Sequence, residues 1–282
     1  MENTANKMTM ENLNKFRAWL VSEERGTGTI QKYLRDLTAF SAWLGGRELM
    51  KETVSGWKEY LLENGYKPVT VNSMLAAVNT YCRFAGLCIK VKFLRIQRKL
   101  FQEESRNLKK EEYERLVAAA ESTGKKRLSL LLETICATGI RVSEVKYITV
   151  EALRAGKAEI SLKGKIRTIL LPGKLCRKLL KYAKKQKIAS GEIFITKSGK
   201  GMSRKQIWAE MKAICKKAGV EESKVFPHNL RHLFARIYYK ATRDIAKLAD
   251  LLGHSSIETT RIYLLSTGEE HAKQLERLEL VR

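Results

Sequence analysis

The chain has 282 residues, 44% of them hydrophobic, enough to bury a proper core and to divide into two domains. Its 54 Lys and Arg against 30 Asp and Glu give a formal net charge of +24, which works against compaction unless a polyanion is the partner. There is no long uninterrupted apolar run, signal peptide or lipidation motif, so a membrane is disfavoured, nucleic acid is favoured, and a cytoplasmic setting is expected. Five scattered cysteines without C-x-x-C spacing suggest neither a disulfide framework nor a zinc site.

The first hundred residues read as four helices. Leu13, Phe16, Leu20 and Val21 share one face, and Ile30, Tyr33, Leu34, Leu37, Phe40 and Leu44 keep helical period up to Gly45-Gly46. A shorter piece carries Val54, Trp57, Tyr60 and Leu61. After Pro68 a fourth helix, with Thr70 as its candidate cap, lines up Val71, Met74, Leu75, Val78 and Tyr81. The next stretch, Lys90–Arg106, is basic and weakly periodic. It reads equally as a solvated linker or as a strap crossing a phosphate backbone through Lys92, Arg95, Arg98, Lys99 and Arg106. Either reading sets a boundary, giving domains 1–96 and 108–282 with a linker 97–107.

Helical patterning resumes from Lys109. It breaks at Ala158–Leu162 and Ile166–Leu171, two β-branched runs flanking Lys163-Gly164-Lys165, which predict a hairpin. Lys174–Lys187 and Ser203–Ala218 read as basic amphipathic helices, and Glu192–Thr196 as strand or loop. Near the C-terminus, Ala272, Leu275 and Leu278 form an apolar stripe on a charged helix, either folding back on its own domain or docking on a neighbour.

Three short segments carry the chemistry. His228 and His232 stand at the i, i+4 spacing of zinc proteases, but Asn229 occupies the place where those enzymes carry a glutamate base. Arg231, three residues after His228, projects beside it on a helix. Arg141 follows Thr138-Gly139, a helix stop, and precedes Glu144. Alone it reads as a surface arginine. Paired with Arg231 it can grip both non-bridging oxygens of a phosphate and offset charge building in a five-coordinate transition state. Tyr263 alone reads as core. With His254 nine residues earlier at a Gly253-His254 turn, it is a candidate nucleophile, provided neighbouring cations favour the phenolate.

Ala137-Thr138-Gly139-Ile140-Arg141-Val142-Ser143-Glu144, His228-Asn229-Leu230-Arg231-His232 and Leu251-Leu252-Gly253-His254 followed by Tyr263 resemble the tyrosine recombinase (phage integrase) family, over nearly the whole chain. The resemblance implies a mainly α fold with a small β-hairpin, in which a helical, SAM-like core-binding domain precedes the catalytic domain. It implies that Tyr263 forms a 3′-phosphotyrosyl bond and releases a 5′-hydroxyl, that Arg141 and Arg231 clamp the scissile phosphate, and that His228 assists proton transfer. His254 would hydrogen-bond the phosphate, with Glu144 and His232 supporting.

The general acid for the 5′-oxygen falls on Lys163, with Lys165 as the alternative because residues two apart face one side of a strand. No metal, ATP or other cofactor is expected. The implied partners are double-stranded DNA at a specific site, a homotetramer on DNA built from monomers or dimers, and an accessory DNA-bending protein or directionality factor. The tail would then link subunits. Size and layout resemble the Xer type, so no arm-site domain like that of larger phage integrases is expected, in a bacterial, phage or mobile-element, nucleoid-associated setting. A type IB topoisomerase or a catalytically silent DNA-binding regulator are the rival readings.

Overall fold

The computed structural model describes residues 8–96, 107–162, 165–264 and 276–278, with backbone only at 162, 165 and 264. The chain divides into two compact units, Met1–Arg98 and Lys99–Arg282.

The first unit contains α1 (Met10–Ser22), α2 (Thr27–Leu44), α3 (Lys51–Glu63) and α4 (Pro68–Phe84). Thr9 caps α1 by accepting from the Asn12 N–H at 3.2 Å. The helix α4 starts at Pro68, two residues before the Thr70 expected to cap it. Proline has no N–H to leave unpaired in a first turn, so it makes a better first helical residue than Thr70 makes a cap. Phe16, Leu20, Leu37, Phe40, Leu61, Leu75 and Val78 have essentially no exposure. Val21, read as part of the α1 stripe, is 60% exposed. It sits one position round the helix from Leu20 and so misses the core-facing arc.

The basic stretch after α4 does not start as a free linker. The Asn79 amide donates to the Val91 carbonyl and accepts from its N–H, both at 3.0 Å. Asn72, two turns earlier on the same face, does the same to Leu94 at 2.9 and 2.8 Å. Val91 is thereby buried, while Lys92 and Arg95 stay exposed.

The second unit runs α5 (Lys110–Ser122), α6 (Lys126–Thr138), a 3-10 turn (Val142–Tyr147), α7 (Val150–Ala155), β1 (Lys157–Leu162), β2 (Lys165–Leu170), α8 (Gly173–Lys185), α9 (Arg204–Lys212), α10 (Cys215–Ala218), α11 (Pro227–Thr242), α12 (Ile245–Leu252), α13 (Ile257–Arg261) and a 3-10 turn (Ile262–Leu264). The strands β1 and β2 form an antiparallel hairpin with Ile160 opposite Arg167 and Leu162 opposite Lys165. The segment read as one helix over Ser203–Ala218 is two. At Ala213 and Ile214 ψ tightens to −10°, which ends α9 and offsets α10. Glu192–Thr196 makes only isolated bridges, Thr149 with Glu192 and Ile195 with Gly201.

The apolar core gathers Leu128, Leu131, Ile135, Ile160, Leu179, Phe194 and Leu230 among others. α11 packs on α6 and on the last 3-10 turn, and α12 on α13, which draws residues far apart in sequence to one place.

Candidate active site

Two glycines set the frame. α6 stops at Gly139 in the left-handed region, φ +62°, and a Cβ there would lie 2.5 Å from the Phe234 ring. The turn that follows delivers Arg141. Glu144, 2% exposed, accepts from the Arg141 N–H at 2.8 Å and from its Nη1 at 3.0 Å. α12 stops at Gly253, φ +61°, where a Cβ would strike the Arg167 side chain at 2.5 Å.

Three guanidiniums converge on the carbonyls that end α12. Arg231, 1% exposed, donates through Nη2 to the Leu252 oxygen at 2.7 Å and through Nη1 to the Gly139 oxygen at 2.5 Å. Arg141 Nη2 reaches the Gly253 oxygen at 3.3 Å. Arg167 Nη1 also donates to the Leu252 oxygen, and its Nη2 sits 2.5 Å from Glu144 Oε2. These carbonyls have no partner within the helix and form the negative end of its dipole, so they suit cations. One carboxylate balances three guanidiniums. The two charges left over match the two that a phosphodiester carries when it becomes five-coordinate.

The imidazole of His254 completes this layer. Its Nε2 lies 3.0 Å from Arg231 Nη2 and its Nδ1 2.8 Å from the Oγ1 of fully buried Thr260. A guanidinium has only donors, so Nε2 accepts, and the ring proton resides on Nδ1, donated to Thr260.

Tyr263, 5% exposed, packs its ring with Ala235, Leu248 and Leu252. Its hydroxyl lies 3.4 Å from His228 Nε2. The ring stacks on His254 with centroids 5.3 Å apart, and His232 lies 4.0 Å away on another side.

The electrostatics follow from burial among cations. Burial first, then Arg231 and Arg141, lower the pKa of His228, and the same causes with Arg167 bring His254 to about 4. Burial, and after it His228, push His232 down to about 3. All three imidazoles are neutral at pH 7, which leaves His228 able to take a proton. Burial and then Arg141 bring Arg231 to about 10, still charged at neutral pH.

Of the residues expected from sequence, Arg141, Glu144, His228, Arg231, His232, His254 and Tyr263 come together. Lys163 lies outside the described residues, as do Arg98, Lys99, Arg106 and the tail positions Ala272 and Leu275. Lys165 pairs its backbone with Leu162 at the end of the hairpin. Leu278 is 57% exposed. Among the described residues, no three histidine, cysteine or acidic side chains are grouped to hold a metal ion.

Two residues of the cluster escape a reading of the sequence. Arg167 had a signal: strand alternation places it with buried Ile169 on the inner face of β2, where a cation needs an explanation. Thr260, in Thr259-Thr260, had none.

Residues 106–270 match the phage integrase family, and residues 13–86 match the phage integrase N-terminal SAM-like domain. The chain belongs to the phage integrase family. It is 29% identical to the tyrosine recombinase XerA of Pyrococcus furiosus, across 96% of this chain and 95% of that protein. It is 30% identical to the tyrosine recombinase XerD of Pseudomonas aeruginosa, across 83% and 85%. Among solved structures, its fold is shared with the XerH site-specific recombinase bound to difH substrate, at a TM-score of 0.68 and 19% identity, covering 94% of this chain and 84% of that one. It is also shared with a lambda integrase tetramer bound to a Holliday junction, at a TM-score of 0.71 and 20% identity, covering 93% and 78%.

Proposed function

We propose that this protein is a site-specific DNA recombinase that cuts and rejoins strands through a 3′-phosphotyrosyl intermediate, without metal or ATP. The observation that carries the reading is the Tyr263 hydroxyl, 3.4 Å from a neutral His228 Nε2 and beside the Arg231–His254 pair. A hydrogen bond of this length is ordinary for a catalytic pair before substrate tightens it.

In the proposed reaction, Tyr263 Oη attacks the scissile phosphorus while His228 takes the phenolic proton. Arg141 and Arg231 hold the non-bridging oxygens. Once Arg231 turns from His254 toward the phosphate, the His254 ring proton moves from Nδ1 to Nε2, which donates to the same oxygens while Nδ1 accepts from the Thr260 hydroxyl. Lys163 gives a proton to the departing 5′-oxygen, and Lys165 is the alternative donor. Bond energy is kept in the phosphotyrosyl diester, so religation by a 5′-hydroxyl needs no nucleotide. Charge that Mg²⁺ supplies in other phosphoryl transfers comes from the guanidiniums.

Residues 1–96 serve as the core-binding domain, joined by the linker 97–107 to the catalytic domain 108–282. Lys92, Arg95, Arg98, Lys99 and Arg106 cross the backbone of the bound duplex. Four protomers assemble on DNA through the C-terminal tail, with integration, excision or dimer resolution as the outcome, in the nucleoid of a bacterial host.

The test is covalent trapping in EDTA on a partly randomised, nicked duplex library, comparing wild type with Tyr263→Phe. Adducts resistant to SDS are expected from wild type alone, with DNA affinity nearly equal in the two proteins. Adduct from the phenylalanine variant would remove Tyr263 from its role. Tight binding without adduct in wild type would favour a regulator.

A further inference from the structure

Between Ile160 and Gly191 the sequence holds ten lysines and arginines and no aspartate or glutamate. The helix α8 lies in this stretch and buries Leu175, Cys176, Leu179 and Ala183 against its neighbours α6 and α7. Its six cations, Lys174, Arg177, Lys178, Lys181, Lys184 and Lys185, fall on the opposite side, within about 120° of arc at 3.6 residues per turn.

Among the described residues, only Lys178 has an acid partner, Glu133 at 2.6 Å. The other five are exposed, and no carboxylate among the described residues pairs with them. Like charges spaced three and four apart weaken a helix, so this face lacks the counter-charge that its own fold would favour. The arc borders a groove of about 550 Å³ between α7 and α8, whose charged residues, Arg154, Lys184 and Lys187, are all cationic.

None of the side chains gathered around Tyr263 comes from α8. We propose that the α8 arc is a second, sequence-independent DNA-backbone surface that holds duplex outside the segment cut at Tyr263. The inference rests on DNA being the substrate.

Three features favour a phosphate backbone over other polyanions. The arc runs about 16 Å from Lys174 to Lys185, at 1.5 Å per residue. The two strands of a duplex together place about ten phosphates over that length of axis, at about 1.7 Å each, so five free cations have phosphates to meet. Four of the five free cations are lysines, compact point charges that pair with phosphate without a fixed geometry, and the arc carries no asparagine or glutamine to read adenine. The apolar residues on the inner side of α8, Leu175, Cys176, Leu179 and Ala183, are already buried, which leaves them unable to insert into a lipid surface.

The test compares wild type with the K174Q/R177Q/K181Q/K184Q/K185Q variant on two DNAs: a long duplex without a recombination site, and the shortest duplex on which wild type forms adduct. On the long duplex, the slope of log affinity against log salt is expected to flatten by about 4.5, at about 0.9 for each phosphate no longer neutralised. Adduct yield on the short duplex is expected to stay within about two-fold, and Tm to hold or rise as like charges are removed.

An unchanged slope overturns the proposal. So does equal loss on the short duplex, which would make α8 part of the cutting interface. Lost binding to anionic lipid vesicles with an unchanged DNA slope would reassign the arc to a membrane surface. If the five-fold variant fails to fold, K181Q/K185Q replaces it, with an expected change of about 2. A slope difference that persists when wild type forms no adduct on any duplex would sink the recombination reading and leave this surface standing.

Discussion

The two units of this protein bury different things. In the first, apart from the single buried carboxylate of Asp36, paired with Lys32 and Arg35, the interior is aromatic and aliphatic: Phe16 meets Tyr81 edge-on at 5.4 Å, and Phe40, Trp43, Trp57 and Tyr60 form a continuous cluster. In the second, Glu144, Arg231 and Thr260 are as buried as the leucines around them. Apolar burial stabilises in proportion to area, whereas a buried charge is costly unless partners surround it. The first unit is therefore built for stability, and the second holds charges that its fold would be easier without. Those charges are kept in place by backbone carbonyls, as Arg231 is by Gly139 and Leu252.

The largest expected effect comes from removing the one carboxylate. Glu144→Ala leaves Arg141 and Arg167 facing each other without a counter-charge, and the cost of breaking such a buried network is about 3–5 kcal/mol. Chemical denaturation should show this loss, together with a fall in adduct formation from protein that remains folded. An alanine variant as stable as wild type would mean that the cluster is not held by charge pairing. In the first unit, Leu37→Ala should cost about 3 kcal/mol through reduced burial and a residual cavity. Three of the four tryptophans, Trp19, Trp43 and Trp57, lie in that unit, so indole fluorescence reports on it. The comparison predicts that the Leu37 variant keeps its chemistry per folded molecule, while the Glu144 variant does not.

Smaller in stability but specific to chemistry is Arg231→Lys. It keeps the charge and loses the planar fork that bonds Gly139, Leu252 and His254 together. Adduct formation is expected to fall about 10²-fold, the effect of losing one transition-state donor. Single-turnover trapping at saturating DNA measures it, and a rate within two-fold of wild type would show that point charge alone suffices.

The same contrast explains what could be read in advance. The bundle helices were legible because apolar spacing encodes them directly: Ile30, Leu37, Phe40 and Leu44 sit where the 3.6-residue period puts them. Arg141, His228, Arg231, His254 and Tyr263 were legible as an ordered combination, though each alone is ordinary. The roles of Arg167 and Thr260 were not, because they exist only through partners distant or unmarked in sequence: Glu144 is 23 residues from Arg167, and Thr260 is told from Thr259 only by the His254 ring. The Asn72 clamp on Leu94 and the Asn79 clamp on Val91 were hidden in the same way. An asparagine on a helix surface announces nothing until another backbone lies against it.

The smallest expected effect is the pH dependence of stability, and it again separates the units. Every histidine of the first 264 residues, His228, His232 and His254, lies in the second unit, and all three have folded-state pKa values below the ordinary 6.5. The unfolded chain therefore binds more protons than the folded one in mild acid, and stability must rise with pH in that window. Full stability is expected above about pH 7, with progressive loss as pH falls through 6.5 toward about 4, where His254 itself protonates, and further toward about 3 for His232. Few other groups titrate between pH 6.5 and 5, so the slope there belongs to the imidazoles. His232→Phe removes the group with the lowest value and keeps a flat ring against Tyr263, so it should flatten the loss between pH 6.5 and 5. Denaturant midpoints across that range decide it. A slope as steep in the phenylalanine variant as in wild type would mean that His232 is not held neutral by burial, and that the charge-laden unit tolerates one more cation than its geometry implies.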